Sequence, residues 1–256
     1  MSEEKVENTQ AEELVEETVD TAEEQVVRKQ RSQIDLGGLE IYYEKNKKAI
    51  TYGGGAILAI IAIFCTYKFY WLPGQEREAM NEAFFAQNYF EKDSFNIALN
   101  GGRNEKTANG DKTMMGFTEI ASNYSSTKTG NLANYYAGIC YLRLGKYQEA
   151  IESLGKYNGN DEMVTPMAIG AIGDAYMEMN NVEEAVKYYQ KAAEKSNNDF
   201  TTPMFLKKAG FALETKGNFA EALTYYERIK NEFVRSTEGR EIDKYIARVK
   251  TSGNIE

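Results

Sequence analysis

Residues 135–154 run Tyr135-Tyr136-Ala137-Gly138-Ile139-Cys140-Tyr141-Leu142-Arg143-Leu144-Gly145-Lys146-Tyr147-Gln148-Glu149-Ala150-Ile151-Glu152-Ser153-Leu154. A small residue, Gly138, is followed three positions later by the bulky Tyr141. Then come a turn at Gly145, the bulky Tyr147, a second small residue at Ala150, and Leu154. The same order returns as Gly173, Tyr176, Asn180, Val182, Ala185 and Tyr189, and again as Gly210, Leu213, Gly217, Phe219, Ala222 and Tyr226. Aligned on the first small residue, the copies begin at Asn131, Pro166 and Pro203, about 35 residues apart. A three-to-four spacing of apolar residues, broken once by a turn, predicts two antiparallel helices per copy. One such hairpin cannot bury its apolar face alone, so three or more must stack.

A period near 34 with this spelling resembles tetratricopeptide repeats, which stack into a solenoid. The resemblance implies an all-α fold of about four helical hairpins plus a C-terminal capping helix, over residues 75–252. The full copies cover 131–162, 166–198 and 203–234. A degenerate copy covers 79–126: Ala86, Tyr89, Asp93, Phe95 and Ala98 stand at the offsets of Gly138, Tyr141, Gly145, Tyr147 and Ala150. Its second helix is interrupted by Asn100–Lys112, rich in Gly, Asn and Lys, which reads as an inserted loop. Gly116–Tyr124 resumes the helix, with Phe117, Ile120 and Ala121 on one face. Residues 238–250 read as the cap, with Ile242, Tyr245, Ile246 and Val249 on one side and a polar outer face.

The small and bulky positions of the spelling are packing chemistry, not catalysis. Function in this class lies in a concave groove lined by the first helix of each pair, which holds extended or helical peptides. Carried over position by position, the resemblance implies a partner-binding set of Gln87, Phe90, Tyr135, Ile139, Leu142, Arg143, Met167, Asp174, Met177, Lys207 and Phe211. These are mostly aromatic, aliphatic and methionine side chains. Flexible methionines suit surfaces that accept several partners. The class's lysine-and-asparagine clamp for terminal carboxylates is not evident, since Phe211 stands where an asparagine is needed.

The second organising feature is Ala49–Tyr67, 19 residues without a charge. At 1.5 Å per residue a helix of this length nearly spans a hydrocarbon core of about 30 Å. Lys68 follows, then Phe69-Tyr70-Trp71 as an interfacial aromatic belt, and Pro73-Gly74 is expected to end the helix. A transmembrane helix over 49–72 follows. The run begins too deep for a cleaved signal and no small-x-small site follows it, which favours an uncleaved anchor. Upstream, Lys45, Lys47 and Lys48 outnumber Lys68 and Arg77 downstream. This bias puts the N-terminus in the cytoplasm and the repeats outside. The juxtamembrane segment 34–48 carries Leu36, Leu39, Ile41, Tyr42 and Tyr43 and reads either as an interfacial helix or as a plain linker. Gly55 and Ala59 form a small-xxx-small pair and leave room for a homo-oligomer.

The first 27 residues hold ten acids and one lysine. So acidic a segment cannot bury enough apolar surface to fold, and residues 1–33 are expected to be a disordered cytoplasmic tail. Residues 1–48 carry about -6 of the net charge of -9, and residues 74–256 about -4. No clustered Lys and Arg make a nucleic-acid face. The chain has no histidine, the commonest general base and metal ligand. Its two cysteines fall in the apolar run (Cys65) and in a repeat helix (Cys140), so no disulfide, zinc spacing or phosphate loop is expected. No cofactor, metal or catalytic residue is implied.

The order of parts is a short apolar-aromatic segment, Glu44-Lys45-Asn46-Lys47-Lys48, one span leaving through Tyr70-Trp71, and a repeat solenoid. It resembles the ancillary subunit of the bacterial Sec translocon, a single-span protein whose periplasmic repeats partner a membrane-anchored folding factor. The acidic tail and the Asn100–Lys112 stretch depart from that pattern. The resemblance implies an inner-membrane adaptor for secretion or envelope folding, with a translocon or chaperone partner. A regulator of cell-wall synthesis on the same scaffold, and an organelle-surface receptor with cytosolic repeats, are the alternatives.

Overall fold

The structure, a computed structural model, describes residues 36–107 and 110–255. The acidic tail 1–33, expected to be disordered, and the start of the juxtamembrane segment lie outside the described residues. The chain divides into two units, Met1–Thr66 and Tyr67–Glu256.

In the first unit, helix α1 (Leu36–Thr66) takes up both the juxtamembrane residues and most of the apolar run. The stretch Ile41–Glu91 contains an 18-residue window of mean hydropathy 1.9, none of it buried, which is long and apolar enough to cross a membrane.

The second unit opens with a π-helical turn, Tyr67–Trp71, and helix α2 (Leu72–Glu91). Pro73, expected from the sequence to end a helix, instead sits in the first turn of α2. There the N–H that proline lacks would have no partner in any case. Helix α3 (Phe95–Asn100) follows, then strands β1 (Gly101–Thr107) and β2 (Gly110–Met115), then α4 (Phe117–Asn123). The stretch expected as a loop is therefore largely an antiparallel hairpin, with Asn104 opposite Thr113 and Thr107 opposite Gly110. It leaves the helix through a neck of two glycines. A Cβ on Gly116 would lie 2.2 Å from the Leu99 carbonyl oxygen, and Gly101 takes a φ of +68°. Across the neck the Thr118 hydroxyl donates to the Leu99 carbonyl at 2.9 Å.

Three regular helix pairs come next: α5 (Lys128–Arg143) with α6 (Tyr147–Lys156), α7 (Val164–Glu178) with α8 (Val182–Lys195), and α9 (Thr201–Thr215) with α10 (Phe219–Glu232). Helix α11 (Ile242–Gly253) packs on α10. Each pair, and the degenerate one, turns through a single left-handed residue: Asp93, Gly145, Asn180 and Gly217. In each, an N–H reaches back five residues to the first helix: Ser94 to Tyr89, Lys146 to Tyr141, Asn181 to Tyr176 and Asn218 to Leu213, all between 2.8 and 3.0 Å. This is the six-to-one bond that closes a helix C-terminus.

Close approach inside the pairs depends on the small positions. A Cβ on Gly173 would stand 2.7 Å from the Tyr189 ring, and one on Gly210 would stand 2.5 Å from the Tyr226 ring. Between pairs, a Cβ on Gly170 would lie 1.9 Å from Phe205, which is 1% exposed. The largest core cluster joins α8, α9, α10 and α11, and a second joins α2, α3, β2, α4 and α5.

The chain leading into α5, α7, α9 and α11 is tied by a side chain upstream. Thr127 accepts from the Gly130 N–H at 2.9 Å, Asn198 from the Thr201 N–H at 2.7 Å, and Ser236 from the Gly239 N–H at 2.8 Å. Asp161 does most: it accepts from the N–H groups of Met163 (3.0 Å), Val164 and Thr165 (3.3 Å) and from the hydroxyls of Thr165 (2.8 Å) and Tyr157 (2.9 Å). Burial alone would raise its pKa, but these donors hold the carboxyl well below its ordinary 3.8. A depressed pKa stabilises the fold above the unfolded value, and the contribution is lost as pH falls below it. Asp161→Ala is expected to cost about 1 kcal/mol at neutral pH. In urea unfolding, the gap between wild type and variant should narrow as pH is lowered through 3.8.

Candidate partner-binding groove

The first helices α5, α7 and α9 lie side by side and enclose, with α11, a concave cavity of about 1150 Å3. Nine of the eleven residues expected on the groove line it: Tyr135, Ile139, Leu142, Arg143, Met167, Asp174, Met177, Lys207 and Phe211. They converge because each sits on a first helix, and α5, α7 and α9 together line the cavity. Phe211 is the most open of the aromatics, 53% exposed.

The other two residues do not join them. Phe90 is turned into the core, edge-on to Phe95 at 5.5 Å and to Tyr136 at 5.1 Å, with Phe117 at 6.1 Å. Phe90 packs on Phe95 of α3 and Phe117 of α4, the two halves of its repeat's second helix, and on Tyr136 of the next repeat. Gln87 is half-buried on α2 and lies off the cavity.

Three of the seven charged side chains lining the cavity, Asp174, Lys208 and Arg248, are held in ion pairs. Lys208 reaches back from α9 to Asp174 on α7, at 2.7 and 2.8 Å from its two carboxylate oxygens. The Tyr189 hydroxyl donates to the same carboxylate at 2.7 Å. Burial and the Asp174 charge together push the Tyr189 phenol far above its usual range, so it stays a neutral donor. At the α11 end, Arg248 grips Glu214 through two bonds of 2.9 and 2.7 Å, and the Tyr226 hydroxyl donates to Glu214 at 2.5 Å. Tyr245 lies among three cations: Lys207 at 5.0 Å, Lys244 at 5.2 Å and the Arg248 guanidinium at 4.9 Å. This cluster gives one wall a face both aromatic and basic. Glu178 accepts from Tyr147 at 3.2 Å on the far side.

Sequence reasoning missed Lys208, Tyr189, Met204, Tyr245 and Arg248, all of which line the cavity. Met204 had a signal: it occupies in its repeat the position that Met167 holds in the preceding one. Tyr245 and Arg248 had none, because the cap lies outside the repeat register.

Chemically the cavity is an adhesive surface. Cys140 is fully buried and burial pushes its thiol up to about 12, which removes it as a nucleophile. Among the described residues no cluster of three or more Cys, Asp or Glu is placed to hold a metal ion.

Two family models described as tetratricopeptide repeat match the chain, over residues 132–160 and 166–199. Solved structures similar in fold include the Podosopora anserina protein described as "kinesin light chain nearly identical TPR-like repeats", at 14% identity, TM-score 0.47, covering 72% of this chain and 87% of that one. A form of the same protein with one substitution matches at 14% identity and TM-score 0.46, covering 72% and 86%. A comparison with the curated proteins finds no match. The chain carries tetratricopeptide repeats and is a mostly helical solenoid of that type, a scaffold that implies protein–protein interaction.

Proposed function

We propose that this chain is a non-enzymatic, membrane-tethered adaptor that holds a segment of another protein in its concave groove, in the service of protein secretion or folding at a bacterial inner membrane. The observation that carries the reading is the convergence of Tyr135, Ile139, Met167, Met177 and Phe211 from three repeats on one cavity. Their half-buried and exposed apolar surface supplies the driving force for covering the groove. The tether is Ala49–Tyr67, whose Ile57, Leu58, Ile60, Ile61, Ile63 and Phe64 are exposed and suit lipid. Anchoring confines groove and partner to one surface and raises their effective concentration. The excess of lysines before the span supports an N-terminus in the cytoplasm and repeats in the periplasm.

The test is photocrosslinking in native membranes from a photoreactive residue at Ile139, together with compartment reporters at each terminus. Adducts with translocon or chaperone subunits support the adaptor reading. Adducts with cell-wall synthases replace it with the regulator reading. A C-terminal reporter active only in the cytoplasm overturns the exported-groove reading.

A further inference from the structure

The solenoid is finished at one end and open at the other. At its C-terminal end α11 buries Ile242 and Val249 and turns a polar face outward, as a terminal element must. At its N-terminal end α2 buries Ala79, Ala83 and Ala86 and leaves Met80 and Phe84 exposed at 58% and 64%.

The repeat register shows what Phe84 lacks. It holds the sixth position of its repeat, the place of Tyr136 and Lys208 in later copies. Tyr136 reaches back to Phe90 and Phe117 of the repeat before it, and Lys208 reaches back to Asp174 of the repeat before it. Phe84 has no repeat before it. The open end is also where the chain enters the domain, and the residues there are exposed aromatics: Phe69 at 73%, Tyr70 at 84% and Trp71 at 47%. On α2 itself, Pro73, Arg77, Met80 and Phe84 follow one another at helical spacing, all exposed. Of the three acids in this stretch, Glu76 is turned inward, where it accepts from the N–H groups of Lys128 at 2.7 Å and Thr129 at 3.2 Å, Glu82 is buried, and the exposed Glu78 lies about 100° around the helix from Arg77, on the side away from Met80.

We infer that this face of α2 rests on the lipid surface, with Met80 and Phe84 dipping among the headgroups and Arg77 beside the phosphates, so that the bilayer itself caps the open end of the solenoid. A face of aromatic and aliphatic side chains flanked by a basic one is the composition of an interfacial helix. A second copy of the chain fits less well. Two side chains expose on the order of 250 Å2, against the roughly 800 Å2 per partner that stable protein interfaces bury. Lipid needs no such matched area, since each side chain partitions on its own.

The inference rests on the membrane tether of the preceding section, and the test separates the two. The full-length chain is reconstituted singly in nanodiscs of phosphatidylethanolamine and phosphatidylglycerol carrying bromine near the headgroup. The fluorescence of native Trp71 is read first; then that of a Trp71→Phe, Phe84→Trp variant. Quenching of both tryptophans by brominated lipid, with Phe84→Trp shielded from aqueous acrylamide, supports the inference. Trp71 quenched and Phe84→Trp open to acrylamide overturns the inference and leaves the tether standing. Phe84→Trp shielded from both quenchers means that protein covers the face, which also overturns it. No lipid quenching of Trp71 overturns tether and inference together.

Discussion

Phe205→Ala is expected to destabilise the repeat domain by about 4 kcal/mol, measured by denaturant unfolding followed by circular dichroism. Phe205 is 1% exposed, its ring lies 6.4 Å from that of Tyr189, and it fills the place where a side chain on Gly170 would stand. The ring is therefore the seam between the second and third full repeats. Loss of this seam should uncouple neighbours, because stability in a solenoid is a sum of repeat and interface contributions. The same geometry predicts strong coupling. Gly170→Ala alone should cost about 2 kcal/mol, since the buried ring has nowhere to move. Made in the Phe205→Ala background it should cost nothing, or stabilise by up to about 1 kcal/mol through better helix propensity. Additive effects at the two sites would mean that the seam is packed otherwise.

Lys112→Ala is expected to cost about 2 kcal/mol, a large effect for a residue half exposed on a hairpin. Lys112 pairs with Glu82, whose side chain is 3% exposed and whose second carboxylate oxygen has no hydrogen-bond partner. The lysine is the main compensation for that buried charge; its own pKa is raised by the Glu82 hydrogen bond. Removing one partner of a buried pair leaves the other uncompensated, whereas replacing both with apolar side chains can be neutral. The double variant Glu82→Met, Lys112→Met should therefore recover most of the loss. A single variant as stable as wild type would show that the hairpin is not pinned there.

The regular repeats were open to sequence reasoning because their signal is periodic. One glycine or alanine per helix, one left-handed turn residue and one bulky partner recur at fixed offsets, and each has a single packing role. The hairpin was not read; the Asn109-Gly110 dipeptide is a hairpin signal, but one residue off the observed register, in which Gly110 is already paired with Thr107. Flanking runs of polar residues such as Arg103, Asn104, Asp111 and Thr113 lack the alternation that marks a half-buried strand. Among the described residues of the hairpin only Met114 is buried to hold it. Phe90 was misplaced for a related reason. Its position follows groove register, but in this degenerate copy aromatics from both halves of the second helix, Phe95 and Phe117, and Tyr136 of the next repeat gather around it, so burial overrides register. The groove was legible where three intact repeats stack and illegible where the cap contributes, because Tyr245 and Arg248 belong to no repeat.

The central claim is that the concave face, and not the convex one, is where another protein docks. A photoreactive residue placed in turn at Phe211, in the groove, and at Lys191, exposed on the second helix α8, tests it in native membranes. The account predicts discrete protein adducts from Phe211 that fade when Ile139→Asp is added, and none from Lys191. Adducts from Lys191 with none from Phe211 would contradict it.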